Sequence, residues 1–154
     1  MPDLASTLRR AQASSTMPGL MPPVEIDGAT YVDGALGPSG GIALDAARLA
    51  GYERFVVVMT RPREYVKKPG NAALYRTLFP KMPAVAEAIA GRAQRYNHTR
   101  EQLFELEKQG KAFLFFPQTA DISNRETNLE KLEECYEASL KQADPWLEAL
   151  LAWL

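Results

Sequence analysis

Leu4, Leu8 and Ala11 recur at helical spacing and predict a short helix from Asp3 to about Gln12. Ser14 to Pro23 holds three prolines and a glycine in ten residues and reads as an ordered loop. Val24-Glu25-Ile26 and Thr30-Tyr31-Val32 alternate around Asp27-Gly28, a pair suited to the positive φ of a tight type I′ turn, so a β-hairpin is expected there. Gly34 to Gly41 is loop by its glycine content. Ile42, Leu44, Ala47 and Leu49 predict a helix that stops at Gly51. Phe55 to Met59 has no polar alternation, the pattern of a strand buried on both faces in a parallel sheet.

Arg61 to Gly70 is a basic loop with two prolines. Beyond it the pattern turns helical, with Ala73 to Phe79, Ala84 to Arg95 and a third helix opened by a Thr99/Gln102 capping box. Ala112 to Phe116 is a second candidate for a buried strand. Gln118 to Glu126 reads as loop. Thr127 and Glu130 form another capping box, and Asp144-Pro145 supplies an N-cap and first-turn proline for a final helix. Strands separated by helices place the chain in the α/β class.

Composition narrows the chemistry. Eighteen Lys and Arg against nineteen Asp and Glu leave a net charge of -1, which argues against a nucleic-acid partner. No apolar run reaches the roughly 18 residues of a membrane span, and the N-terminus has no signal-peptide pattern, so a cytoplasmic protein is expected. One cysteine, Cys135, excludes an internal disulfide and a multi-thiolate metal site, and no cofactor or metal is expected. Cys135 sits in an apolar helical stripe and reads as a packing residue. The single histidine, His98, reads as a surface residue.

The densest motif cluster runs from Ala13 to Leu44. Ala13-Ser14-Ser15, Pro22-Pro23 and Asp33-Gly34-Ala35 follow one another in an order and spacing that resembles the carboxyl-side portion of a patatin-like phospholipase domain. The later strand, the basic loop, Arg95-Tyr96-Asn97 and the aromatic strand near Phe115 resemble the bacterial branch with a helical C-terminal extension. The resemblance implies part of a three-layer α/β/α domain, a hairpin plus a few parallel strands, over residues 1–70. It implies a mostly helical extension over 71–154. It also implies an acyl-lipid substrate and ester hydrolysis by a Ser–Asp dyad, with Asp33 as proton acceptor and Gly34 and Ala35 as its motif loop. The plainer reading of Asp33, an aspartate before glycine at a strand end, is a turn former that bonds its own backbone.

The family's nucleophile elbow and oxyanion loop have no counterpart before Ser14. The chain is therefore expected to be a fragment or truncated member that supplies the acid and is inactive alone. Ser14 and Ser15 have nothing nearby to activate them. Gly37-Pro38-Ser39-Gly40-Gly41 formally matches Gly-x-Ser-x-Gly, which makes Ser39 a secondary nucleophile candidate for a stand-alone esterase, although Pro38 restricts the turn. Arg61, Arg63, Lys67 and Lys68 could meet anionic headgroups in a peripheral membrane contact, with a solvated loop as the plainer reading. The Trp146–Leu154 stretch lacks Lys and Arg, so docking on the protein's own core is favoured over a membrane. The alternative of another class is a non-catalytic assembly module, pairing with a separate amino-terminal half or with itself through exposed sheet edges such as that of Phe55–Met59.

Overall fold

A computed structural model describes residues 3–118, 122 and 126–154. The protein is mixed α/β and forms two compact units, residues 1–51 with 67–102 and residues 52–66 with 103–154. The units interleave along the chain, so residues 1–70 and 71–154 each contribute to both.

In the first unit, helix α1 (Leu4–Ser14) begins at Asp3, whose carboxylate accepts from the Ser6 N–H. Strands β1 (Val24–Ile26) and β2 (Ala29–Tyr31) form the expected hairpin, with Val24 opposite Tyr31 and Ile26 opposite Ala29. Asp27 and Gly28 both take positive φ, 51° and 78°, which matches the twist a two-residue turn needs. A one-turn 3-10 helix (Gly34–Leu36) follows, then α2 (Leu44–Leu49), which ends before Gly51 at φ 86°. Helix α3 spans Ala72–Leu78.

Helix α4 (Pro83–Lys108) is continuous through the expected break at Thr99. Thr99 does not cap a new helix; its hydroxyl donates back to the Arg95 carbonyl at 3.0 Å, inside an unbroken helix. His98 is therefore mid-helix, and its side chain is exposed.

The second unit contains β3 (Phe55–Val58) and β4 (Ala112–Phe115), paired in parallel with Phe55 beside Ala112 and Val58 beside Phe115. Phe55, Met59, Leu103, Ala112 and Leu114 are its buried apolar residues. Burial of β3 on both faces does not hold: Val56 and Val58 are 46% and 64% exposed. Among the described residues the sheets are this pair and the hairpin, two strands each, in place of the larger sheet of a three-layer α/β/α domain.

Helix α5 (Leu129–Trp153) runs unbroken past Asp144-Pro145. Proline inside a helix removes one hydrogen bond and costs about 3 kcal/mol. On its C-terminal side the helix is anchored: Trp146 packs against Phe113 and Phe115, and Trp153 against Phe113, at centroid distances of 5.1–5.6 Å. The terminal tryptophans thus dock on the protein's own strand. The start of α5 also differs from expectation, because Asn128 is the cap and accepts from the Lys131 N–H.

Glu126 secures that start. Its carboxylate accepts from the Asn128 and Thr127 N–H groups, both at 3.1 Å, and meets the Lys131 Nζ at 3.1 Å. The Asn128 N–H first, and then Lys131, holds the Glu126 carboxyl below the usual glutamate range. A lowered folded value contributes stability above the unfolded value of about 4.3 and loses it as pH falls through the folded value. Amide exchange in the first turn of α5 should therefore accelerate as pH drops below about 4, after correction for intrinsic rates. Glu126→Gln should remove that pH dependence.

Candidate functional site

The glycine-rich loop after the hairpin is held by α4. Arg95 Nε donates to the Gly37 carbonyl at 3.1 Å, and its Nη2 donates to the carbonyls of Leu36 and Ala88 at 3.3 and 2.5 Å. Arg92 Nε reaches the Gly40 carbonyl at 3.3 Å. A side chain at Gly40, where φ is 69°, would put its Cβ 2.4 Å from the Tyr96 backbone nitrogen. Only glycine fits that approach. Asn97 then pins the next loop with both ends of its amide, accepting from the Lys67 N–H at 2.9 Å and donating to the Lys67 carbonyl at 3.0 Å. Arg95, Tyr96 and Asn97 are loop clamps.

Within this frame Asp33 caps the 3-10 helix. Its Oδ1 accepts from the Ala35 N–H at 2.7 Å, and its own N–H donates to the Thr16 carbonyl at 2.8 Å. Gly34 and Ala35 form that single turn, and Gly34 lines a cleft of about 300 Å³ together with Ser14, Asp27 and Tyr31. Asp33 therefore does the work of a turn-forming aspartate, bonding its own backbone two residues on.

Ser39 is paired with a different acid. Its hydroxyl donates to Asp45 Oδ2 at 2.7 Å, and the residue is 7% exposed. The pair ties the loop to the first turn of α2, whose N-cap Ala43 has no side-chain acceptor. A hydroxyl on a carboxylate is the raw material of a general-base pair. The surroundings of Ser39 are not those of an elbow, because a one-turn helix and Pro38 lead into it in place of a strand. Asp45 was invisible in the sequence as a partner for Ser39, since a carboxylate six residues away carries no periodic signal.

The basic loop engages aromatic rings and a carboxylate. Arg63 pairs with Glu107, and its guanidinium lies 5.1 and 5.0 Å from the ring centroids of Phe104 and Phe116. Arg61 stands 5.5 Å from the Tyr65 ring and Lys67 5.3 Å from the Tyr96 ring. These contacts give Arg61, Arg63 and Lys67 structural roles in the protein itself. Cys135 is half-buried and lines a cleft of about 870 Å³ with Arg61, Tyr65 and Lys131, so it is a wall residue and not a core one. Among the described residues, no three His, Cys, Asp or Glu side chains converge in a way that could hold a metal ion. No described helix is long and apolar enough to cross a membrane.

The feature without an internal explanation is the β3–β4 pair. Phe55 and Met59 donate their N–H groups to the Lys111 and Phe115 carbonyls, both at 2.9 Å, so the alternate residues Val56 and Val58 direct their N–H and C=O groups away from β4. The outer side of β4 is met by α5 at Leu114 and just past the strand's C-terminal end. Gln142 Nε2 donates to the Phe116 carbonyl at 2.6 Å, Gln142 Oε1 accepts from the Gln118 N–H at 3.0 Å, and Trp146 Nε1 reaches the Leu114 carbonyl at 3.5 Å. Gln142 thus imitates the peptide group of a neighbouring strand. Among the described residues the outer edge of β3 has no such cover.

The roles of Asp33 and Ser39 separate in a mutational test. Asp33→Asn keeps an acceptor for the Ala35 N–H and should preserve stability, whereas Asp33→Ala should lower it by about 1 kcal/mol in urea unfolding. Ser39→Ala should cost a similar amount, about 1 kcal/mol. It should leave p-nitrophenyl ester turnover at the level of the unsubstituted protein.

Residues 82–154, which include α4, β4 and α5, match the family model of a domain of unknown function, DUF6363. No match was found among curated proteins or among solved structures. The match is to that domain and not to the patatin-like phospholipases, which corrects the membership read from Ala13-Ser14-Ser15, Pro22-Pro23 and Asp33-Gly34-Ala35. Those short runs of small residues, prolines and Asp-Gly are turn chemistry, and the Asp33 cap and the Gly40 approach account for much of the cluster without a shared ancestry.

Proposed function

We propose that the chain is a non-catalytic assembly module that joins a second copy of itself through the outer edge of β3. The observation that carries this reading is the contrast between two edges of one sheet, β4 capped by Gln142 and Trp146 and β3 open with Val56 and Val58 exposed. A two-stranded parallel sheet is small for independent stability, and parallel strands are ordinarily covered on both sides. Edge strands that must stay alone are blunted by charge, proline or a bulge. Phe55 to Met59 has none of these.

A second copy is the occupant that the local sequence favours. Identical edges meeting at a two-fold axis run antiparallel. Centred on Val57, that pairing sets Val56 opposite Val58 of the second copy as a hydrogen-bonded pair, twice over. The result is one four-stranded sheet with a capped strand at each end.

Light scattering should give twice the 17.1 kDa mass of the chain. Val56→Lys/Val58→Lys places four like charges at the junction and should weaken association by more than about tenfold, equivalent to 1.4 kcal/mol. A monodisperse monomer of the unsubstituted protein at high concentration would sink the reading.

A further inference from the structure

Helix α5 presents far more apolar surface than its packing on β4 consumes. It runs for 25 residues, and none of them is buried. Leu129, Leu132, Tyr136, Leu140, Leu147 and Leu151 recur every one or two turns, at exposures between 38% and 75%. At 3.6 residues per turn they fall within an arc of about 100°. This continuous stripe is distinct from the positions that meet β4, which are Gln142, Trp146 and Trp153. Its other margin is a ridge of exposed carboxylates, Glu130, Glu133, Glu137, Asp144 and Glu148. Lysines are few on this helix: six carboxylates face two of them, and Lys131 is already bound to Glu126.

We propose that this stripe is a docking surface for a basic amphipathic helix of a partner protein. The partner would carry apolar residues at i, i+3 or i+4 and i+7, with Lys or Arg along one margin. The apolar stripe supplies the buried contact, and the carboxylate ridge fixes orientation and accelerates encounter. Charge discriminates among occupants. A second α5 brings another excess of carboxylates and is repelled. An anionic bilayer is repelled likewise, since helices that lie on such surfaces carry Lys and Arg at their polar margin. This surface is independent of the β3 edge, and α5 lies wholly within the residues that match the domain family.

The test uses two fluorescein-labelled model helices of about 18 residues, or five turns, with the same leucine stripe and either lysine or glutamate at every polar position. Fluorescence anisotropy is read against the full chain. The leucine/lysine helix should bind at least about tenfold more tightly than the leucine/glutamate helix, and added salt should weaken it. Leu140→Gln/Leu147→Gln should abolish binding. Both positions are exposed, and an unchanged helical circular dichroism signal would confirm that the variant folds. Should it not fold, Glu133→Lys/Glu137→Lys serves in its place and should erase the preference for the leucine/lysine helix.

Val56→Lys/Val58→Lys should leave helix binding unchanged, which separates this surface from self-association. Equal binding of both helices would overturn the proposal. So would a leucine/lysine preference that survives the leucine substitutions or the charge reversal, or co-sedimentation of the chain with phosphatidylserine vesicles.

Discussion

Every strand in a sheet has two rows of backbone hydrogen-bonding groups, and each row needs a partner or water. In the second unit β3 and β4 satisfy each other on their inner rows. On the outer side of β4, α5 side chains meet the Leu114 carbonyl and, just past the strand end, Phe116 and Gln118, where Gln142 stands in for a peptide group at both its nitrogen and its oxygen. The docking of α5 depends on that arrangement: Trp146 reaches the same edge, and Trp146 with Trp153 packs on Phe113. The outer row of β3 is left over, bordered by two exposed valines. An unpaired row flanked by apolar side chains is a template for another strand.

The first unit solves a related problem with the same means. Its glycine-rich loop and the segment at Lys67 have few ladder partners, so α4 provides them. Arg92 and Arg95 donate to loop carbonyls, and Asn97 bonds both backbone groups of Lys67. Gly91 fits this scheme: a Cβ there would come within 2.5 Å of the Arg95 guanidinium, which is committed to three carbonyls. A glycine in a helix interior sacrifices about 1 kcal/mol of propensity. At this position it leaves room for the clamp.

Local chemistry was legible in the sequence wherever it decides the outcome alone. Asp27-Gly28 specified its hairpin, Gly51 ended α2, and the runs at Phe55 and Ala112 became the parallel pair. Signals that compete with tertiary packing misled. Thr99 and Asp144-Pro145 look like helix starts, yet both lie inside long helices. The β3 run resembles a strand buried on both faces because its composition suits the interior of a larger sheet than the described residues contain. At the candidate site, an aspartate before glycine at a strand end already carries the pattern of a turn former, and the 2.7 Å bond from the Ala35 N–H realises it. The Ser39–Asp45 pair and the Gln142 edge cap join side chains through the folded backbone and had no sequence signature.

Residue-resolved amide hydrogen exchange at two protein concentrations tests the open edge most directly. Val57 directs its N–H toward β4 and should be protected at both concentrations. Val56 and Val58 direct theirs outward, and should exchange rapidly in dilute solution and become protected as the chain is concentrated. Equal exchange of the Val56 and Val58 amides at low and high concentration would contradict the account, because the β3 edge would then have no partner in a second copy.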